Sequence, residues 1–419
     1  MNSQTLNPSR TTAAQRLLAC AAPSLEDHLR LVGPVPWRGS RGLLVETLES
    51  SGLTGRGGAG FPTWRKVTST AAAQGKRPIV VANAAEGEPI SGKDAVLLVH
   101  APHLVLDGVQ LAAEAVGADL AYVYVKSGAG ADSVRRALAE REQAGRRRDA
   151  DLDRVPVRVH EAPTGFVSGE ESAVVASIEG GPALPRTKAR LVSESGVRGR
   201  PTLLQNAETL AHVALIARYG PGWFREPGTD AEPGTFLATI GGAVRSPAVV
   251  EAGYGIALAD LLELAGGPDR PLSAVLIGGY HGAWVPADAA SVTPVSRAGL
   301  APWGGSPGAG VVWALPQGQC GIGATASIVS YLAGQSAKQC GPCMFGLPAI
   351  AADLARLADP ASIGAADSAL PQRIAALSGI VEGRGACKHP DGTVRLVRSG
   401  LRVFADDVTA HLAGHCLTA

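Results

Sequence analysis

The chain has 419 residues, 46% of them hydrophobic and 18% charged, with 38 Lys and Arg against 37 Asp and Glu for a net charge of +1. That length exceeds what one compact core holds and predicts two to four domains. The charge balance excludes nucleic acid as a partner, because phosphate binding needs a basic surface excess, and no run approaches the roughly 18 apolar residues of a membrane helix, which excludes direct membrane insertion.

The stretch "LLAC" at 17–20 resembles a lipoprotein cleavage box, but Arg16 precedes it directly and no apolar run feeds it. The expectation is a cytoplasmic chain whose thiols stay reduced, so its six cysteines read as ligands or buried residues rather than as a disulfide framework. Residues 25–52 read as capped helical pieces, the last being "RGLLVETLESSGL", which stops at Gly52. "TGRGGAGFPTWRK" follows as a glycine-dense loop. "RPIVVANAAEGEP" (77–89) is a β-branched run that breaks into an acidic loop, as a buried parallel strand does at its carboxyl end. "LVLDGVQLAAEAVG" predicts a helix, "AYVYVK" a strand, "ADSVRRALAERE" a helix and "VPVRVHEA" a strand. This alternation implies an α/β layer with a parallel sheet. The basic run "GRRRD" at 145–149 lies near Asp151 and Asp153 and reads as a solvated loop.

From about residue 235, "TFLATIGGAVRSPAVVEAGYGIALADLLELAGG" and "SAVLIGGYHGAWV" show short strands, tight Gly/Pro turns and one short helix, a small α+β module of roughly 60 residues. After about 320 the strands stop. "GATASIVSYLAGQSA", "FGLPAIAADLARLA", "SALPQRIAALSGIVE" and "FADDVTAHLAGH" predict four helices and a bundle. The expected domains are 1–230, 231–300 and 315–419.

Three features carry chemistry. "GRGGAG" (55–60) matches G-x-G-x-x-G, yet a helix precedes it and Pro62 follows, so it lacks the strand-to-helix context of a dinucleotide fingerprint. Its four glycines bare backbone N–H groups for close approach to a phosphate or flat ring, although a flexible surface loop has the same composition. Only seven of the 38 basic residues are lysines, and Lys66, Lys93 and Lys188 each lie beside a Gly- or Glu-rich loop. Two acid pairs, Glu86 with Glu88 in "NAAEGEP" and Glu170 with Glu171 in "GEES", suit acid–base work or hydrogen bonds to ribose and amide groups; a solvated tip or a helix cap reads equally well. Cys340 and Cys343 in "QSAKQCGPCMFG" form C-x-x-C, with Cys387 lying 44 residues beyond the second. A metal or iron–sulfur site is indicated, zinc with His389 as its fourth ligand being a rival and metal-free structural cysteines the plain alternative.

Taken together, "GLTGRGGAGFPTWRK", "NAAEGEPISGKD", "GFVSGEESAVVASIEGGPALPR", "GRPTLLQNAETLAHV", the 235–285 module and "QSAKQCGPCMFG" with Cys387 resemble the NADH-binding flavin subunit of respiratory complex I and its relatives in NAD-linked hydrogenases and formate dehydrogenases. The resemblance runs from about residue 40 to about 410. It implies an FMN- and NADH-binding α/β sandwich domain, a small ubiquitin-like SLBB domain, and a C-terminal four-helix bundle ligating a [4Fe-4S] cluster. Gly55, Gly57, Gly58 and Lys66 match the loop that approaches the flavin, a stretch that also holds Arg56 and Gly60, with Asn83, Glu86, Gly169, Glu170 and Asn206 around it. Phe61, Glu88, Glu171 and Lys188 match residues that contact NADH. The implied reaction is hydride transfer from nicotinamide to flavin N5, then single electrons to the cluster and on to a ferredoxin-like or other redox protein, a membrane-bound reductase included.

The chain departs from the family pattern at Ala337, where the family carries the first cluster cysteine. Three thiolates leave one iron open, so the expectations are a [3Fe-4S] cluster, a labile one, one completed by Cys416, Cys320 or His389, or none, with Cys416 the first choice of ligand because a terminal segment can reach back. Ala85, Phe166 and Leu191 replace an aspartate, a tyrosine and an aromatic near the nucleotide. A non-catalytic electron-transfer or docking subunit and a zinc-stapled binding protein are the alternatives.

Overall fold

The computed structural model describes residues 15–37, 41–147, 151–186 and 190–418. Helices α1 (Leu25–Leu31), α2 (Arg41–Ser51) and α3 (Thr63–Ala72) come first, and β1 (Ile79–Ala84) opens the sheet. Then follow α4 (Lys93–His100), α5 (Pro102–Val116), β2 (Leu120–Lys126), α6 (Ala129–Arg147), β3 (Val157–Ala162), α7 (Glu171–Ile178), β4 (Thr202–Asn206) and α8 (Ala207–Arg225). The sheet order is β3-β2-β1-β4, with every pair parallel. Side chains alternate across it. Val80 and Ala82 face the core with Leu104, Leu210 and Ala211, while Ile79 and Val81 meet Tyr122, Val174 and Leu204 on the other face. Gly108 lets α5 lie against α8: a Cβ there would stand 1.9 Å from the Leu210 carbonyl oxygen.

The later elements are β5 (Thr235–Gly242), β6 (Ala248–Gly253), α9 (Leu258–Glu263), β7 (Leu272–Ile277), β8 (Ala283–Pro286), α10 (Arg297–Leu300), β9 (Val311–Pro316), α11 (Gly321–Gly334), α12 (Leu347–Leu357), α13 (Leu370–Val381), α14 (His389–Val403) and α15 (Ala405–Leu412). The end of β5 pairs parallel with β9, and β7 pairs antiparallel with β9 and β8.

Contacts divide the chain into two compact units: Met1–Thr164, Ser168–Ala238 and Val249–Gly255 in one, and Gly165–Val167, Thr239–Ala248 and Ile256–Ala419 in the other. Residues 235–238 and Val249–Gly255 of the α+β module count with the first unit, while strands β7, β8 and β9 share one core with the helices of the second unit. Ala274, Leu276, Trp284 and Leu315 of the strands cluster there with Ile322, Leu354, Val397 and Phe404, and the Trp284 and Phe404 rings meet edge-on at 5.3 Å.

Three elements differ from expectation. Strand β4 runs straight into α8 with no turn residue, because Asn206 both ends the strand and caps the helix, its side chain accepting the Glu208 N–H. Helix α14 adds a fifth long helix after residue 320. "HPDG" looks like a turn, yet Pro390 sits in the first helical turn, where a missing N–H costs nothing. The basic run at 145 begins inside α6, whose last turn holds Arg146 and Arg147, where cations suit the helix dipole. Among the described residues no single helix is long and apolar enough to cross a membrane. The pair α4 and α5 passes that test together, but the two helices are bent by 96° at the break between them.

Candidate functional site

In the first unit the strand order reverses between β1 and β4, so their carboxyl ends open a crevice of the kind in which α/β sheets bind ligands. Asn83 and Asn206 are register partners there. Asn206 Nδ2 donates to the Asn83 carbonyl at 3.2 Å and to Asp94 Oδ2 at 2.7 Å. Asn83 Nδ2 donates to the Gly169 carbonyl at 2.9 Å, and its Oδ1 accepts the Ala85 N–H at 3.2 Å. Gly169 is confined by that contact, since a Cβ would stand 2.5 Å from the Ala85 carbonyl oxygen.

The glycine loop is clipped over this crevice. Thr54 and Pro62 form a β-bridge, and Gly55 N–H donates to Phe61 O at 2.9 Å. Gly57 has the Asn206 Cβ as its neighbour, 3.4 Å from where its own Cβ would be. Gly58 (φ 104°) and Gly60 (φ 62°) take the left-handed backbone that a side chain resists. Arg56, expected to reach the cofactor, turns inward instead. Its guanidinium donates to Thr54, Pro233 and Thr235 and lies 4.7 Å over the Tyr254 ring, and the residue is 4% exposed.

Beneath the loop sits a buried charge cluster. Lys93 Nζ donates to the Arg56 carbonyl at 2.7 Å and to Glu208 at 2.5 Å. Burial opposes its charge, but Glu208, Asp94 and Glu86 together raise its pKa. Asp94 is 2% exposed and its Oδ1 has no hydrogen-bond partner; burial, ahead of the partly offsetting Lys93, raises its pKa. Glu86 keeps some exposed surface, while its carboxylate bonds Ser91 and faces Asp94; burial and then Asp94 push it up to about 8. Sequence reasoning passed over Asp94 and Glu208 as site residues. The signal was a charged pair opening the otherwise apolar helix "KDAVLLVH" and a lone acid in "AETLAHVALIA".

Phe61 stands 53% exposed beside this loop. Lys66 pairs with Glu171 at 2.8 Å. Glu170 caps α7, accepting the Ser172 and Ala173 N–H groups, and Glu88 is buried. Lys188 lies outside the described residues.

In the second unit Cys340 and Cys343 flank the start of a wide helical turn, Pro342–Gly346, that leads into α12. Burial pushes the Cys343 thiol up to about 12, with Cys340 and Cys387 adding to it. Burial also works against the Cys340 thiolate, but the Ala386 and Cys343 N–H groups more than offset it and its pKa falls. Cys343 thus feels both Cys340 and Cys387. Cys416, expected to complete the iron–sulfur cluster, lies instead with Cys320 and His411. His389 is no free ligand either: Nε2 donates to the Leu332 carbonyl at 2.9 Å and Nδ1 meets His281 at 3.1 Å. Ala337 precedes Lys338, whose φ of 52° is one of two left-handed non-glycine backbones among the described residues. Phe166 packs edge-on against His281 and Tyr331, and Leu191 is exposed.

Residues 48–215 match the Nuo51 FMN-binding domain, and residues 323–411 match the NADH-ubiquinone oxidoreductase-F iron-sulfur binding region. Fold, crevice and thiols thus define a flavin- and iron–sulfur-dependent oxidoreductase. The chain is 32% identical over 378 residues to the NADH-quinone oxidoreductase F 2 subunit of Rhizobium meliloti (strain 1021), covering 88% of each, and 33% identical over 319 residues to the NADH-quinone oxidoreductase F subunit of Rhodobacter capsulatus, covering 73% of each. It also resembles the solved NAD+-reducing [NiFe]-hydrogenase in the H2-reduced state, with a TM-score of 0.85 at 28% identity over 98% of this chain and 68% of that one. The chain belongs to the family of NADH-quinone oxidoreductase F subunits. It is an NADH-oxidising electron-transfer subunit that uses FMN and an iron–sulfur cluster.

The residues fit those groups. A loop that presents backbone instead of side chains suits a flat ring, with Gly57 leaving open the space that a Cβ would fill beside Asn206. Three interacting thiols suit an iron–sulfur cluster with one corner not held by cysteine.

Proposed function

We propose that Gly55, Gly57, Gly58, Gly60 and Lys66 hold FMN, with Asn83, Glu86, Gly169, Glu170 and Asn206 around it, and that Phe61, Glu88, Glu171 and Lys188 receive NADH. The observation that carries this is the clipped glycine loop seated on the Asn83–Asn206 pair at the strand-order reversal. FMN, when bound, supplies the step from two-electron to one-electron chemistry. The chain's own part is placement. The loop lets a ring approach the backbone, Asn83 fixes Gly169, and Lys93 neutralises Glu208 and anchors the Arg56 carbonyl. The Lys66–Glu171 pair leaves polar groups for phosphate and ribose, while Phe61 offers an aromatic face. No side chain here is needed as a base, because hydride transfer leaves no proton to remove.

Cys340, Cys343 and Cys387 hold the cluster, and a [3Fe-4S] form is favoured because Ala337 and His389 supply no ligand. Residues 231–300 form the SLBB-like module. Electrons leave to a redox protein partner, ferredoxin-like or part of a membrane-bound reductase, and the chain works in the cytoplasm, where free thiols persist. Anaerobic NADH added to the purified chain should bleach the flavin absorption near about 450 nm. An unbleached, stoichiometric flavin would remove NADH from the assignment and leave the docking-subunit alternative.

A further inference from the structure

Apart from the residues used above, Cys320, His411 and Cys416 bring three ligand atoms within 4.8 Å of one another, the one such group among the described residues. Three separate local structures deliver them. Cys320 caps α11, and its Sγ accepts the Gly323 N–H at 3.2 Å, which fixes the sulfur at the helix start. His411 stands in the last turn of α15, fully buried. Its Nδ1 lies 2.8 Å from the Leu357 carbonyl oxygen, which only accepts, so Nδ1 carries the proton and Nε2 turns its lone pair toward Cys320 Sγ at 3.5 Å. Cys416 is returned to the helix by Gly414 (φ 85°), where the His415 N–H reaches back to the Ala410 carbonyl at 3.1 Å.

Flavin and cluster chemistry make no use of these groups. The iron–sulfur region ends at residue 411 and begins at 323, so Cys320 and Cys416 both fall outside it. Asp407 Oδ2 accepts the Gly321 N–H at 3.2 Å, one residue past Cys320 and one turn before His411, and so pins the start of α11 to α15 without any metal.

We propose that Cys320, His411 and Cys416 form a zinc site of three protein ligands, with water in the fourth position. Two thiolates and an imidazole are the soft and borderline donors that Zn²⁺ prefers, and the set is too small and too sulfur-rich for magnesium or calcium. The Leu357 carbonyl serves as the outer partner that orients a ligating histidine. Both cysteines are partly exposed, which admits the ion and the water. Binding converts two thiols to thiolates and releases two protons to solvent. Cys416 is thereby assigned to zinc, and the iron–sulfur cluster is left with its three thiols.

The test uses the full chain, purified anaerobically from zinc-replete cells, with zinc, iron, sulfide and flavin measured on one sample. About one zinc per chain is expected, lost in Cys416→Ser with iron, sulfide and flavin unchanged. Cys416 lies in the tail after α15, so this variant leaves the core intact; Cys320→Ser serves as the second. Cobalt(II) added to the zinc-stripped wild type should give the strong thiolate-to-metal absorption of a tetrahedral site, and Cys416→Ser should not. The proposal is overturned by a wild-type chain with neither zinc nor a cobalt spectrum, by zinc retained in both variants, by iron lost from Cys416→Ser, or by a Cys320–Cys416 disulfide in the anaerobically alkylated chain.

Discussion

Lys93 and Glu208 meet at 2.5 Å with neither more than 2% exposed, and the same ammonium group holds the Arg56 carbonyl of the glycine loop. Removing one partner of a buried pair strands the other charge, at about 3–5 kcal/mol. Lys93→Met should therefore lower the unfolding free energy by about that much and release flavin, read by thermal unfolding and by absorbance per chain. Lys93→Arg should not restore the loop, because a planar fork cannot replace a point charge in a cavity shaped for one.

Gly169→Ala tests the crevice without touching a charge. The new Cβ must push the Ala85 backbone, which breaks the Asn83 bond to Gly169. Flavin affinity should fall by about tenfold or more, the worth of one or two such hydrogen bonds, while far-ultraviolet circular dichroism stays unchanged.

Glu86 predicts a pH dependence. Its folded pKa of about 8 lies above its ordinary 4.5, so the native state holds a proton that the unfolded chain has released. The stability this contributes is fully present below pH 4.5 and is lost as pH rises through about 8. Melting temperature should fall from pH 6 to pH 9, and Glu86→Gln should flatten that slope. An unchanged slope in the variant would assign the titration to another group.

Phe61 contributes little to folding because it is more than half exposed. Phe61→Ala should raise KM for NADH by about two- to tenfold, the worth of one aromatic contact, with flavin content and melting temperature unchanged. Steady-state kinetics with an artificial one-electron acceptor gives both parameters.

Ala337→Cys supplies the cysteine that the family pattern places there. Iron in the anaerobically reconstituted chain should rise from about three to about four atoms per cluster, measured alongside paramagnetic resonance of oxidised and reduced samples.

Much of the first unit was legible because its strands are β-branched runs that end in polar loops, as "VVANAAEGEP" does. Strand β4 was not, since five residues joined to a helix without a turn leave no periodicity to read. Helix α14 hid behind "HPDG", where Pro390 and Gly392 imitate a turn. Gly392 is there for tight packing: a Cβ would stand 2.3 Å from the His281 ring. In the site, residue types were readable and directions were not. Nothing local in "GRGGAG" says that Arg56 folds inward, and nothing in the cysteine spacing pairs Cys416 with Cys320 across a helical domain. Both outcomes are set by tertiary neighbours.

The inward turn of Arg56 leaves the outer surface of the glycine loop without a titrating side chain. What rests against that surface meets peptide dipoles, whose strength does not change with proton or salt concentration. Recognition there is by contour, and the charge that stabilises the loop is kept out of the ligand's reach, inside the wall behind it.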